Sequence, residues 1–331
     1  MTDARVVLFT LGGTISMSGG AGGAVARLGG QELVSGLNGF GDDVQVQVRD
    51  LRRVPSADLT FDDVLDVVAA ADEAVTAGAT GIVLTQGTDT LEESSFLIDA
   101  VWSHELPLVV TGAMRDPTLP GADGSANLLA AVRVAASPAA RGRGALVAFN
   151  DEIHAAVRVR KTHSTSTATF ASPDTGPVGH VVEGEARFLV PATASRPVIG
   201  WSRESLRATR IGLHTAVFDD DGSALAGAED RYDGLVVAGF GVGHVPGAMA
   251  PLLGDLAAQM PVVLSSRTGA GPVLAHTYGA PGSERDLLSR GLASGGFLHP
   301  YKARVLLHLL VAAKKSRAEI TTAVAQFGDE H

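Results

Sequence analysis

Short apolar runs alternate with longer amphipathic stretches along most of this chain. Val6–Phe9, Ile82–Leu84, Leu108–Val110 and Leu146–Phe149 are continuous apolar runs, the pattern of strands buried on both faces. Between them apolar positions recur at helical spacing. Thr60 stands where a helix N-cap belongs, with Asp63 three residues on, and Phe61, Leu65 and Val68 then share one face. Leu91–His104 and Asn127–Ala136 are two further helix candidates. Strands and helices in alternation predict α/β units on a largely parallel sheet.

The pattern stops at 191–210. This stretch, PATASRPVIGWSRESLRATR, carries two prolines, is polar and has no strong period, so it reads as a linker. The alternation then resumes, with strands expected at Ile211–Val217, Leu235–Ala238 and Val262–Leu264 and helices at Gly247–Gln259 and Pro300–Ala313. The expected organisation is an α/β domain over 1–190, a linker over 191–210 and a second α/β domain over 211–331. A length of 331 residues suits two hydrophobic cores better than one. Ser18–Gly30, rich in glycine and alanine, reads as a mobile loop.

Composition narrows the function classes. A formal net charge of −10 disfavours a nucleic-acid backbone as partner. The absence of cysteine excludes disulfides and Cys-ligated metal sites, and the ten histidines are scattered without metal-ligand spacing. No apolar run approaches the roughly 20 residues of a membrane span, and MTDARVVLFTLGGT has no readable secretory leader. The expectation is a cytoplasmic protein acting on a small molecule, away from membranes.

Ligands of open α/β sheets bind beyond the carboxyl ends of the strands. Three polar clusters stand there: LGGTIS (Leu11–Ser16) after the first run, TQGTDTLEES (Thr85–Ser94) after the second and TGAMR (Thr111–Arg115) after the third. In LGGTIS two glycines let the backbone approach a ligand, and the Thr14 hydroxyl follows; a tight turn explains the same residues. In GTDT, Gly87 frees the backbone beside the Thr88 hydroxyl and the Asp89 carboxylate. Thr88, Asp89 or Thr90 is equally suited to cap the helix that follows. RVRKTHSTSTATF (Arg158–Phe170) sets Lys161 in a Ser/Thr-rich stretch; a solvated loop is the plain reading. A lysine acts as a base only where burial or neighbouring cations lower its pKa, and Arg158, Arg160 and His163 are the candidates for such a field. There is no GxGxxG, G-x-S-x-G, HExxH, S-x-x-K or phosphate-binding GxxxxGK[ST] sequence.

Eight blocks in order resemble the bacterial-type L-asparaginase family, which includes glutaminase-asparaginases. They are TLGGTIS at 10–16, PSADL at 55–59, TQGTDTLEES at 85–94, VVTGAMR at 109–115 and ADGSANL at 122–128, followed by VRKTHSTSTATF at 159–170, SSRTGAG at 265–271 and KARVLL at 302–307. The resemblance implies two α/β domains, the larger N-terminal one with a mixed, mostly parallel sheet and the smaller C-terminal one with a parallel sheet. It implies hydrolysis of asparagine to aspartate and ammonia without metal or cofactor, at sites shared within an intimate dimer, two of which form a tetramer. Thr14 matches the family's first threonine and is the expected nucleophile; Thr88, Asp89 and Lys161 match its second catalytic set, and first attack by Thr88 stays open. Ser56 is expected to hold the substrate's α-carboxylate and Asp89 its ammonium, with Gly87 and Ala113 lining the substrate.

The chain also departs from that pattern. Ser18–Gly30 lacks the tyrosine the family commonly places there, and the only three tyrosines are Tyr232, Tyr278 and Tyr301. Ala57 stands for a substrate-contacting glutamine, Gln86 for a histidine, and His244 for an asparagine in a GNGN-like segment that here reads GVGH. Glu284 is the nearest match to the glutamate that a neighbouring subunit donates, and Tyr278 is the candidate substitute for the missing tyrosine. The competing readings are a glutaminase or other amidohydrolase of the same fold, and a non-catalytic amino-acid-binding protein.

Overall fold

The computed structural model describes residues 4–13, 15, 17–18, 25–26, 31, 34, 40, 44–192 and 197–329. Thr14 and most of the Ser18–Gly30 stretch lie outside the described residues. The chain divides into two compact units, Met1–Pro197 and Val198–His331.

The first unit runs β1 (Ala4–Thr10), a short ladder of β2 (Met17–Ser18) and β3 (Val25–Ala26), β4 (Val44–Asp50), α1 (Phe61–Thr76), β5 (Gly81–Thr85), α2 (Leu91–Val101), β6 (Leu108–Thr111), α3 (Gly124–Ala136), β7 (Ala145–Phe149), β8 (Glu152–Ala155), β9 (Arg160–Lys161), β10 (Phe170–Ala171), β11 (Gly179–Val182) and β12 (Glu185–Phe188). All four apolar runs are strands, and β5, β6 and β7 are buried at every position. Eight strands form one sheet in the order β12-β11-β8-β7-β6-β5-β1-β4. The pairs from β4 to β7 are parallel, and those from β7 to β12 are antiparallel. The chain passes from β1 outward to β4, then returns to the other side of β1 as β5. Strand order therefore reverses between β1 and β5, and the crevice at their carboxyl ends is where such sheets take ligands.

The capping residues act as their spacing suggests. Thr60 Oγ1 accepts from the Asp63 backbone N–H at 3.3 Å, and Asp63 Oδ2 accepts from the Thr60 N–H at 2.9 Å. This capping box, a feature whose N-cap is typically worth about 1 kcal/mol, fixes the start of α1. Helix α2 stops at Val101, three residues before the expected end, because Trp102 is extended.

The second unit contains α4 (Arg203–Ala208), β13 (Ile211–Thr215), β14 (Gly234–Gly239), α5 (Ala250–Gln259), β15 (Val262–Ser266), α6 (Glu284–Ser289), β16 (Ala293–Ser294), α7 (Pro300–Ala312) and α8 (Arg317–Asp329). Its four strands pair in chain order and are all parallel. Helix α4 occupies part of the stretch that reads as a linker; its Leu206 is buried, and the Leu206 carbonyl meets His308 Nε2 of α7 at 2.9 Å. A large first unit with a mixed sheet and a smaller second unit with a parallel one are the architecture the family resemblance implies.

Candidate active site

Two glycine-bearing turns meet at the crevice between β1 and β5. Gly12 and Gly13 follow β1 with φ of +102° and +93°, backbone that other L-residues rarely adopt. A Cβ on Gly13 would lie 2.2 Å from the Gly87 nitrogen, so this turn and the one after β5 touch backbone to backbone. On its other side Gly87 faces Ser56, whose Oγ would stand 2.6 Å from a Cβ at position 87.

Ser56 is buried in a short 3-10 turn, Ser56–Asp58. Its Oγ accepts from the Asp89 N–H at 3.2 Å, which leaves its own proton free to donate to an incoming anion. Thr90 holds the N-cap position of α2, but its hydroxyl donates to the Ser56 carbonyl at 2.9 Å and makes no helix cap. None of the three candidate capping side chains is used as a cap, and Thr88 and Asp89 are left for other work.

That work is done with Lys161. Its Nζ donates to Thr88 Oγ1 at 2.9 Å and to Asp89 Oδ1 at 2.8 Å. Lys161 comes from the β9–β10 ladder, where it pairs with Phe170. Behind the ladder, the buried His154 of β8 meets Ser172 Oγ through Nδ1 at 3.0 Å and ties this strap to the main sheet. The Asp89 side chain is 69% exposed and the Lys161 side chain 15%, so one carboxylate oxygen faces outward while the ammonium is largely covered. The candidate field around Lys161 is otherwise engaged: Arg160 Nε lies 3.8 Å from Glu92, and His163 Nδ1 accepts from the Thr165 and Ser166 N–H groups.

The turn after β6 is held from behind. Asp123 accepts from the backbone N–H groups of Met114 and Arg115 at 3.1 and 2.9 Å. Asn127 donates to the Gly112 carbonyl at 3.0 Å and to Asp123 at 3.1 Å, and accepts from the Asn150 N–H at 2.9 Å. Because Met114 N–H and Ala113 C=O share one peptide plane, Asp123 also sets the direction of the Ala113 carbonyl. Sequence reasoning matched ADGSANL as a block without seeing this task; two amide-binding side chains four residues apart at a helix start were the available signal.

Glu284 in the second unit has no exposed side-chain surface. Its Oε1 accepts from the N–H groups of Thr277 and Tyr278 at 3.1 and 2.8 Å, and its Oε2 meets His244 Nε2 at 3.0 Å. Desolvation pushes this carboxyl's pKa up, but the hydrogen bonds from Tyr278 N–H, His244 and the other backbone donors outweigh it, and the net shift is downward. The His244 ring, 35% exposed at its side chain, stands edge-on to Tyr278 at 4.9 Å. His244 and Tyr278, not Glu284, are the outward members of this cluster. Among the described residues no group of three or more His, Asp or Glu side chains is placed to hold a metal ion.

Residues 5–193 match the family model "Asparaginase, N-terminal" and residues 210–324 match "Glutaminase/Asparaginase C-terminal domain". The chain belongs to the asparaginase family. It is 34% identical over 322 residues to a probable L-asparaginase of Deinococcus radiodurans, covering 97% of each chain. It is 33% identical to a probable periplasmic L-asparaginase of Haemophilus influenzae, over 94% of this chain and 89% of that one. The fold superposes on the crystal structure of a probable cytoplasmic L-asparaginase from Campylobacter jejuni with a TM-score of 0.85 at 28% identity, covering 97% and 99% of the two chains. Within this family member, the described residues bring Ser56, Gly87, Thr88, Asp89 and Lys161 together, with Ala113 on the adjoining turn.

The depressed Glu284 carboxyl makes a pH prediction. Its hydrogen bonds contribute stability that is fully present above the ordinary carboxyl value of 4.5 and is lost as pH falls through the lower folded value. The gap in thermal midpoint between the wild type and Glu284→Gln should be widest above pH ~5 and close on acidification below pH ~4. A gap that does not change with pH would show that the carboxylate charge is not what stabilises this loop.

Proposed function

We propose that this chain hydrolyses the side-chain amide of L-asparagine to L-aspartate and ammonia, with Thr14 as the attacking hydroxyl. The observation that carries the reading is the Lys161 bridge between Thr88 Oγ1 and Asp89 Oδ1, beside the Ser56 hydroxyl, at the switch point of the sheet. Ser56 donates to the substrate's α-carboxylate, and the outward oxygen of Asp89 takes its ammonium. This fixes the amino-acid end, so the side-chain amide is presented at one distance from the turn after β1. The Thr14 oxygen bonds to the amide carbon, and its proton passes to the leaving nitrogen, which departs as ammonia. Water then cleaves the acyl-threonine ester, releasing aspartate and restoring the hydroxyl. The Thr88–Lys161 contact is short enough to carry the protons these steps move.

Pure binding of an amino acid needs no lysine tied to a second hydroxyl, and this favours an enzyme over a binding protein. Thr14→Val keeps the side-chain volume and removes the hydroxyl. Ammonia release from asparagine should fall by at least ~10³-fold with the fold intact by circular dichroism. Near-normal turnover in folded Thr14→Val protein would sink the assignment.

Substrate preference rests on Ala57, which is exposed beside Ser56. Alanine offers no amide to anchor the amino-acid end, a loss of about 0.5–1.5 kcal/mol per missing hydrogen bond. Glutamine has one more rotor than asparagine to freeze and suffers more from a lost anchor. The kcat/KM should favour asparagine, and Ala57→Gln should narrow the ratio. A native preference for glutamine defeats the argument, and an unchanged ratio in Ala57→Gln removes position 57 as its cause.

We further propose a homotetramer of two intimate dimers, in which the His244–Glu284–Tyr278 cluster of a second copy completes each site. Support comes from the family's shared-site architecture and from the partial exposure of His244 and Tyr278 on a cluster anchored by the buried Glu284. Analytical ultracentrifugation should find a tetramer, and full specific activity in a monomer would refute the shared site. Cytoplasmic residence is the location we favour, by analogy with the Campylobacter neighbour; no described helix is long and apolar enough to cross a membrane.

A further inference from the structure

Gln86 is wholly buried at the carboxyl end of β5, directly before the Gly87–Thr88–Asp89 turn. Both ends of its amide are engaged. Ser94 Oγ of α2 donates to Oε1 at 2.9 Å, and Nε2 donates to the Gly87 carbonyl at 3.2 Å. The Gly87 carbonyl, which can only accept, requires the NH2 end of the amide on its side, and Ser94 then anchors the Oε1 end.

The Gly87 carbonyl and the Thr88 N–H are opposite ends of one rigid peptide plane and point in opposite directions. Holding the carbonyl on the buried Gln86–Ser94 side therefore turns the Thr88 N–H away from the core, to the side where Ser56 and the Gly12–Gly13 turn stand. Thr88 is buried, and its N–H has no hydrogen-bond acceptor among the described residues. A buried N–H without an acceptor is costly, and preorganised donors of this kind are what a developing oxyanion needs.

The plane needs an external hold for a reason visible in its neighbours. Position 87 has no room for a Cβ, since Ser56 Oγ would be 2.6 Å away. Glycine is the residue whose backbone most easily rotates, so the site's tightest point is also its least restrained. A flipped plane would put the Gly87 carbonyl oxygen where the oxyanion forms and replace attraction with repulsion.

We propose that Gln86 is a positioning residue for asparagine hydrolysis: by gripping the Gly87 carbonyl it aims the Thr88 N–H at the oxyanion of the tetrahedral intermediate. This rests on the activity proposed above. Gln86 touches no substrate; its effect passes through the peptide plane.

The test compares wild type, Gln86→Met and Ser94→Ala as intact protein, measuring ammonia release and aspartate affinity by calorimetry. Removing a direct oxyanion donor typically costs about 10²–10³ in kcat, and loosening one should cost somewhat less, about 10–100-fold in Gln86→Met. KM for asparagine should stay within about twofold, because its neutral amide oxygen carries little of the oxyanion's charge, and affinity for aspartate, whose carboxylate shares one charge over two oxygens, should fall far less than kcat. A merely structural Gln86 would instead lose aspartate binding along with kcat. Ser94→Ala leaves the amide in place but frees it to turn, so kcat should fall less, at unchanged KM, and this variant decides the matter if Gln86→Met does not fold. Retention of kcat within twofold in a folded Gln86→Met protein, or a loss of aspartate affinity in step with kcat, overturns the proposal. If the wild type releases no ammonia from asparagine, the functional reading fails first.

Discussion

The close approach of two backbones at Gly13 and Gly87 sets the conditions for the rest of the site. No side chain fits between them, since a Cβ on Gly13 would lie 2.2 Å from the Gly87 nitrogen, and on its other side Gly87 has no room for a Cβ because Ser56 Oγ would stand 2.6 Å away. That contact brings the turn after β1 against the turn after β5, two segments that reach the same crevice because strand order reverses there. Ser56 then has room to reach the Asp89 N–H, and Lys161 has a fixed pair of acceptors in Thr88 and Asp89. A site built on strand ends inherits the rigidity of a buried sheet, which catalysis by positioning requires.

Around this contact the hydroxyls and carboxylates divide into those that face the crevice and those that hold its walls. Thr90 and Thr88 are the same residue type two positions apart. One donates to the Ser56 carbonyl and fixes a wall; the other meets Lys161. Asp89 and Asp123 divide in the same way: the first is largely exposed, while the second is spent on backbone N–H groups of the Met114 turn. Gln86, Asp123 and Asn127 together hold peptide planes on two neighbouring turns, so the backbone that lines the crevice is restrained by side chains that never enter it.

The second unit repeats this economy with Glu284. A carboxylate with no exposed surface, receiving two backbone N–H groups and His244, serves as an anchor for the 277–284 loop. Of the residues it leaves outward, His244 is one of the chain's departures from the family pattern and Tyr278 is the candidate substitute for the missing tyrosine. These two rings pack together, with centroids 4.9 Å apart.

What the sequence by itself determined was local. Val6–Phe9, Ile82–Leu84, Leu108–Val110 and Leu146–Phe149 became strands because an unbroken apolar run must be buried on both faces, and Thr60 with Asp63 started a helix because both partners of the cap lie within one turn. The alternating strand Val44–Asp50 and the antiparallel edge from β8 to β12 were not read, since short, half-exposed strands carry a weak pattern. The resemblance to a family grouped Thr88, Asp89 and Lys161 as one set, but gave none of the contacts that hold the walls around them. Three residues were equally eligible to cap α2, and only folding brought the Ser56 carbonyl to Thr90 from 34 residues away and Lys161 to Thr88 from 73. Hydrogen-bond partners are chosen by distance in space, and distances of that kind exist only after the sheet has ordered its strands; the sequence could list the donors and acceptors, and the tertiary structure alone decided which of them meet.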